Sequence, residues 1–330
     1  MEFTNEANTH IETLILGCDE SILSVDFLND YKIEGINIDD YRYKRQISDG
    51  MGRLLFHYDK RLNPIRDNVY FRLFKDRKDL ITITMEPYKQ YSIPNKDMLV
   101  KMGEIKESEE RYIYRVVNLL RIFKHGYVGI KHIFLEQEIE FGMKYSYNDM
   151  ILNENRSAVN KDYFALSKDE IVSCNQFVKD NYTVIYDAME NIIDIFNFAL
   201  DQIGIETEFE KLISALETML LKKGEQGKKE VLAKRVAVMV GKDDYDISKI
   251  YSEMKEFYKY RSESTHEGKY ANINNANRKE LEELTRAVIK KYFEICQAKL
   301  LTCPTIIWDD IKRENIITVK SKVTAKQPLF

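Results

Sequence analysis

The chain has 330 residues, 44% of them hydrophobic and 32% charged, with a net charge of −4. That supplies enough apolar material for one large or two ordinary domains and argues against a disordered chain. The acidic balance argues against a protein that coats nucleic acid nonspecifically, because phosphate neutralisation drives such binding; any nucleic-acid contact has to be a local patch or cleft. The four cysteines (Cys18, Cys174, Cys296, Cys303) contain no CxxC spacing, which argues against a zinc site or a disulfide framework. Cys296 and Cys303, seven apart, read as core thiols on one helix. The N-terminus has acids where a signal peptide needs positive charge, and no stretch reaches the apolar length of a transmembrane helix. A cytoplasmic protein without membrane contact is the expectation.

The first 150 residues read as a mixed α+β domain of unknown role. Thr13–Gly17 is a short apolar run, and Asp49–Gly52 reads as a turn. Gly50 and Gly52 make no phosphate loop, since no GK[ST] follows. Asn68–Phe74 and Leu80–Met85 are rich in β-branched and aromatic residues and predict two strands separated by the charged stretch KDRKD. Pro87 and Pro94 mark a loop. Within Glu107–Lys124 the apolar residues Ile113, Val116, Val117, Leu120 and Phe123 recur at three and four, which predicts an amphipathic helix. Gly126 suits its C-cap, and Gly129–Leu135 predicts another strand. Residues 142–170, with clustered Asn, Ser, Lys and Asp, read as the boundary.

From about Ile171 the pattern is helical. The spacing predicts helices over Val184–Leu200, Glu206–Leu221, Glu230–Val240, Asp246–Tyr260 and Asn277–Leu301, with Asp246 or Ser248 capping the fourth. Five helices with short connections predict an antiparallel all-α bundle over residues 171–303. Residues 304–330 form a tail that is expected to add a strand or to return to the first domain.

The stretch YRSESTHEG, Tyr260–Gly268, carries the candidate chemistry. Five residues of continuous helix turn through about 500°, leaving Arg261 and His266 about 140° apart. They converge only if the helix stops between them, and the run of Ser and Thr before Gly268 predicts that it does. A histidine at a helix C-terminus, where the dipole favours imidazolium, next to a permanent cation suits phosphodiester cleavage: one group moves a proton, the other stabilises phosphate charge. The spacing alone is weak, since with five histidines in 330 residues about 0.7 such matches arise by chance. The place of the motif at the end of a bundle helix adds the weight. Arg121–Gly126, RIFKHG, has a shorter spacing and reads as structural. His125 and His132 are separated by glycines and are too few for a metal site. Tyr251, Tyr258 and Tyr260 lie near Lys255, Lys259 and Lys269, types that stack bases and hold phosphates. The alternative for these is helix surface or core, and Lys222, Lys223, Lys228 and Lys229 form a loop charge run.

Three segments, FEKLISALETMLL, KEVLAKRVAVMVG and ISKIYSEMKEFYKYRSESTHEG, together resemble the Apea-like branch of the HEPN superfamily. The likeness covers roughly residues 181–302 and rests on Glu217, Arg235, Tyr258 and Arg261-Ser262, with His266 followed by Glu267 before Gly268 as a small departure. It implies a metal-independent endoribonuclease with no cofactor, acting as a homodimer whose Arg and His face one cleft. Arg261 would then bind the scissile phosphate and His266 act as acid–base group, with Ser262 and Glu263 supporting and Lys259, Lys269 and Tyr260 binding RNA. The same family implies phage defence or toxin action, with an antitoxin or an activating partner. It also contains noncatalytic domains that bind RNA or serve as interaction scaffolds, the second expectation for this chain.

Overall fold

The structure, a computed structural model, describes residues 2–37, 69–84, 96–139, 143–150, 162–202, 204–305, 309–314, 316 and 318. The expected turn at Asp49–Gly52 and the loop at Pro87 and Pro94 lie outside these residues. The chain divides into two compact units, Met1–Lys179 and Asp180–Phe330. The first is built on an antiparallel sheet and the second is mostly helical.

In the first unit, β1 (Glu2–Leu16) is the central strand. The sheet also holds β2 (Lys32–Asn37), β3 (Val69–Thr84), β4 (Gly129–Ile139) and β5 (Met143–Met150), in the order β2-β3-β1-β4-β5. Helix α1 (Lys96–Phe123) packs on β3 and β4 and buries Ile113, Val116, Val117 and Leu120. Alternate residues Ala7, Thr9, Ile11, Thr13 and Ile15 of β1 are buried, as a strand's period of two requires.

The two strands expected at Asn68–Phe74 and Leu80–Met85 are one, β3, which runs straight through KDRKD. Each charge there has a partner from another part of the fold. Asp76 meets His10 Nδ1 of β1 at 2.6 Å, and Lys78 meets Glu6 at 2.9 Å. Arg77 bonds Glu109 of α1, and buried Lys75 lies 5.3 Å from the Tyr31 ring centroid. Tyr31 donates to Glu109 at 2.7 Å, and burial, then the Glu109 charge, pushes its phenol well above the ordinary range.

The unit boundary also falls later than the composition indicates. Phe164 is fully buried and bridges to both Cys18 and Tyr127. In α2 (Lys168–Asn181) the Asn175 amide donates to the Ser24 carbonyl, and its oxygen accepts from the Asp26 N–H. Residues 162–179 thus complete the sheet unit.

The second unit holds α3 (Val184–Leu200), α4 (Ile205–Leu220), α5 (Lys228–Val240), α6 (Asp244–Glu267) and α7 (Asn275–Thr302). Each buries one apolar stripe, with Ile185, Met189, Ile192 and Phe196 from α3 and Phe209, Leu212, Leu216 and Met219 from α4. Phe209 meets Phe257 of α6 edge-on, centroids 5.7 Å apart, and Tyr292 of α7 donates to the Met219 carbonyl at 2.9 Å. The core also contains charges. Arg278 and Arg286 of α7, with Glu208 of α4 and Glu282 of α7, are each 2–3% exposed. Arg278 bonds Glu208 at 3.1 Å and Glu282 at 2.8 Å, Arg286 bonds Glu282 at 2.5 Å, and the Arg286 guanidinium lies 5.6 Å from the Phe196 ring.

Two expectations for the C-terminal end change. Cys296 is buried, its thiol pushed up to about 12 by burial, but Cys303 follows α7 as its cap residue and is exposed. Residues 309–314 of the tail are helical rather than a strand. Ile311 and Ile316 are buried, and Lys312 donates to the Thr218 carbonyl of α4, so the tail closes on the bundle through one helical face.

Candidate active site

The candidate site lies at the C-terminal end of α6, against α4. Asp243, rather than Asp246 or Ser248, caps the start of α6, accepting from the Asp246 N–H at 2.8 Å. The helix buries Ile247, Ile250, Met254 and Phe257. It then continues through Arg261 and His266 to Glu267, which corrects the expectation that it stops between them. The Ser/Thr run weakens a helix only when those hydroxyls turn to the local backbone. Here Ser264 is buried, and its hydroxyl lies 2.7 Å from Glu210 Oε1 of α4 and 2.9 Å from the Arg261 carbonyl. With one proton to give, it favours the charged carboxylate as acceptor. Thr265 reaches the same Glu210 oxygen at 3.3 Å. A tertiary tie therefore holds the last turn. Gly268, at φ 64, ends the helix in the left-handed cap that its sequence predicts, its N–H donating to the Ser264 carbonyl at 3.1 Å.

This tie gives a direct prediction. Ser264→Ala should cost about 1 kcal/mol and loosen the last turn, read as a lower melting temperature and faster amide exchange at Gly268. Wild-type exchange there would show that the Glu210 contact does not hold the turn.

On an unbroken helix Arg261 and His266 point about 140° apart, so one chain does not bring them together. Arg261 is 26% exposed. Its guanidinium rests 5.9 Å from the Tyr258 ring centroid and 3.8 Å from Glu217 Oε2 of α4, a loose ion pair without a hydrogen bond. Tyr258 fixes Glu217 from the other side, donating to Oε1 at 2.9 Å. Partial burial, then the bond to Glu217 and its charge, pushes the Tyr258 phenol up to about 12, so it stays a donor at neutral pH. His266 is exposed and makes no hydrogen bond among the described residues.

The remaining expected site residues divide. Ser262 is half-buried beside Arg261. Glu263 accepts from the Asn272 amide at 3.3 Å and pairs with Lys259 at 3.9 Å. Lys269 pairs with Glu267 at 2.6 Å, which holds the ammonium above and the carboxyl below their usual ranges. Tyr260 is half-buried. Arg235 lies elsewhere: it is buried, with bonds to the Leu220 carbonyl at 2.6 Å and to both oxygens of Glu225 at 2.7 and 2.8 Å, and so clips the α4–α5 loop. In the other unit Arg121 is equally structural, donating to the Val128 carbonyl at 2.6 Å, and His125 follows the end of α1 and faces Asp162 at 3.2 Å. Arg235, Arg278 and Arg286 are thus bonded to buried acceptors, whereas Arg261 keeps its N–H groups available. Glu210, which sequence reasoning missed, shares its face of α4 with Glu217 because the two are seven apart. That spacing, visible in FEKLISALE, was the available signal.

Comparison with protein-family models, curated proteins and solved structures finds no match for this chain.

Proposed function

We propose that the helical unit is a HEPN-type endoribonuclease acting as a homodimer, and that Arg261 and His266 carry its chemistry. The observation that carries the reading is the state of Arg261. Its guanidinium is oriented by Tyr258 and Glu217, yet forms no hydrogen bond, and an exposed histidine stands one and a half turns away. An arginine oriented but not hydrogen-bonded suits a phosphate, which takes two parallel N–H donors. In the reaction the RNA 2′-hydroxyl loses its proton and its oxygen bonds phosphorus. The bond from phosphorus to the 5′-oxygen breaks, and that oxygen takes up a proton. A 2′,3′-cyclic phosphate and a 5′-hydroxyl result. His266 moves the proton and Arg261 stabilises the charge gathering on the phosphate.

The resemblance extends this proposal to a cytoplasmic defence or toxin effector, restrained by an antitoxin or triggered by an activating partner, with the sheet unit as the sensing part. No helix among the described residues is long and apolar enough to cross a membrane. A second reading, a noncatalytic RNA-binding or scaffold module, is favoured by one observation: the two side chains diverge on the continuous helix of a single chain.

Purified protein incubated with total RNA in EDTA separates the readings. The nuclease predicts cleavage by wild type, 2′,3′-cyclic phosphate ends, and a loss of roughly 10²–10⁴-fold in His266→Ala, with a comparable loss in Arg261→Ala. Cleavage that survives both substitutions would sink the assignment.

A further inference from the structure

We propose that α6 also carries a track for single-stranded RNA, formed by Tyr251, Lys255, Tyr258 and Arg261; the proposal rests on the ribonuclease reading and names its substrate class. These residues fall along one side of the helix. Tyr258 is about 20° around the axis from Tyr251, Lys255 is about 40° from it on the other side, and Arg261 is about 60° beyond Tyr258. The track covers about 15 Å of helix.

Two cation–ring pairs occur in tandem along it. The Lys255 ammonium lies 5.2 Å from the Tyr251 ring centroid, and the Arg261 guanidinium 5.9 Å from that of Tyr258. The other α6 lysines behave differently, with Lys249 on Glu253 at 3.4 Å and Lys259 on Glu263 at 3.9 Å. Lys255 has no carboxylate within ion-pair distance among the described residues, and the ion pair of Arg261 is loose. Both cations of the track are therefore held by rings and keep donors for an anion. All four residues are half-buried, which limits the side-chain freedom lost on binding. Tyr258 is further fixed through its hydroxyl on Glu217.

Alternating rings and cations match a chain of alternating bases and phosphates. Rings stack on base faces whatever the sequence, and the cations take the backbone. A duplex hides those faces inside its own stack, so the track selects single strands. It ends on Arg261, which delivers one phosphate to the residue already assigned to it. The two acids of α4 facing this end are both engaged, Glu217 by Tyr258 and Arg261, and Glu210 by Ser264 and Thr265.

The test uses the full chain carrying His266→Ala, in EDTA, with a fluorescein-labelled single-stranded RNA of mixed sequence and the same RNA annealed to its complement. Anisotropy should show the single strand bound at least tenfold more tightly than the duplex. Tyr251→Ala should weaken single-strand binding by roughly 5- to 150-fold, while Tyr251→Phe retains most of it. Lys255→Gln should lower the salt slope by about one. Equal binding of the duplex, no binding of the single strand, or wild-type binding by Tyr251→Ala at an unchanged melting temperature would each overturn the track. Cleavage, followed separately with His266 intact, keeps the two ideas apart. RNA cut equally well by Tyr251→Ala removes the track and leaves the nuclease. Ring-dependent binding with no cutting removes the nuclease and leaves a single-strand binding module.

Discussion

Glu282→Gln should lower the melting temperature of the helical unit by roughly 6–20 °C, the largest stability change expected of any single substitution here. The carboxylate of Glu282 lies between Arg278 and Arg286, and all three are 2–3% exposed. Removing its charge leaves two buried guanidiniums with Glu208 and the outer Glu283 as their remaining carboxylate partners. Breaking a buried ion pair from one side costs about 3–5 kcal/mol, because the surviving charge stays desolvated. For a unit of this size each kcal/mol moves the midpoint by about 2–4 °C. The control is Glu282→Leu with Arg286→Met, which removes both charges and keeps the Arg278–Glu208 pair. It should melt within a few degrees of wild type, since apolar groups of similar volume often replace buried ion pairs without loss. If Glu282→Gln melts like wild type, the network is not held by its charges.

The second prediction follows from the continuity of α6. Two inactive variants, Arg261→Ala and His266→Ala, should regain activity when unfolded together and refolded as a mixture. Arg261 and His266 diverge along one chain, so a shared phosphate needs Arg261 from one copy and His266 from the other. In a mixed dimer one of the two such pairings is intact. Half of the dimers are mixed at random assembly, so about a quarter of wild-type activity should return if the two sites act independently. Should the mixture stay as inactive as its parts while remaining dimeric, the site does not combine residues from two copies.

These outcomes bear on how far the sequence was legible. The bundle helices could be read because each buries one apolar stripe; Ile185, Met189, Ile192 and Phe196 repeat at the helical period whatever they pack against. Where a partner distant in sequence decides, local reading failed. KDRKD looked like a break between strands because its partners, His10, Glu6 and Glu109, are more than thirty residues away. The end of α6 was misplaced for the same reason: the helix-ending preference of Ser264 and Thr265 is overridden by Glu210, 54 residues earlier for Ser264. Charges are expected at the surface, so Arg278, Glu282 and Arg286 were passed over, although their spacing of four was visible. At the site, Arg261 and His266 were found from motif and position, while the state that distinguishes Arg261, oriented by Tyr258 and Glu217 without a hydrogen bond, depends on tertiary geometry.

The unequal lengths of β2 and β3 bear on how the protein avoids sticking to itself. Strand β2 covers only Val69–Phe74 of β3, while β1 runs along it as far as Thr84. From Lys75 onward the outer side of β3 has no strand partner among the described residues, and such an open flank invites another sheet to dock on it. This is where the chain places Lys75, Asp76, Arg77, Lys78 and Asp79. The same charges that obscured the strand in the sequence oppose edge-to-edge aggregation along its open half.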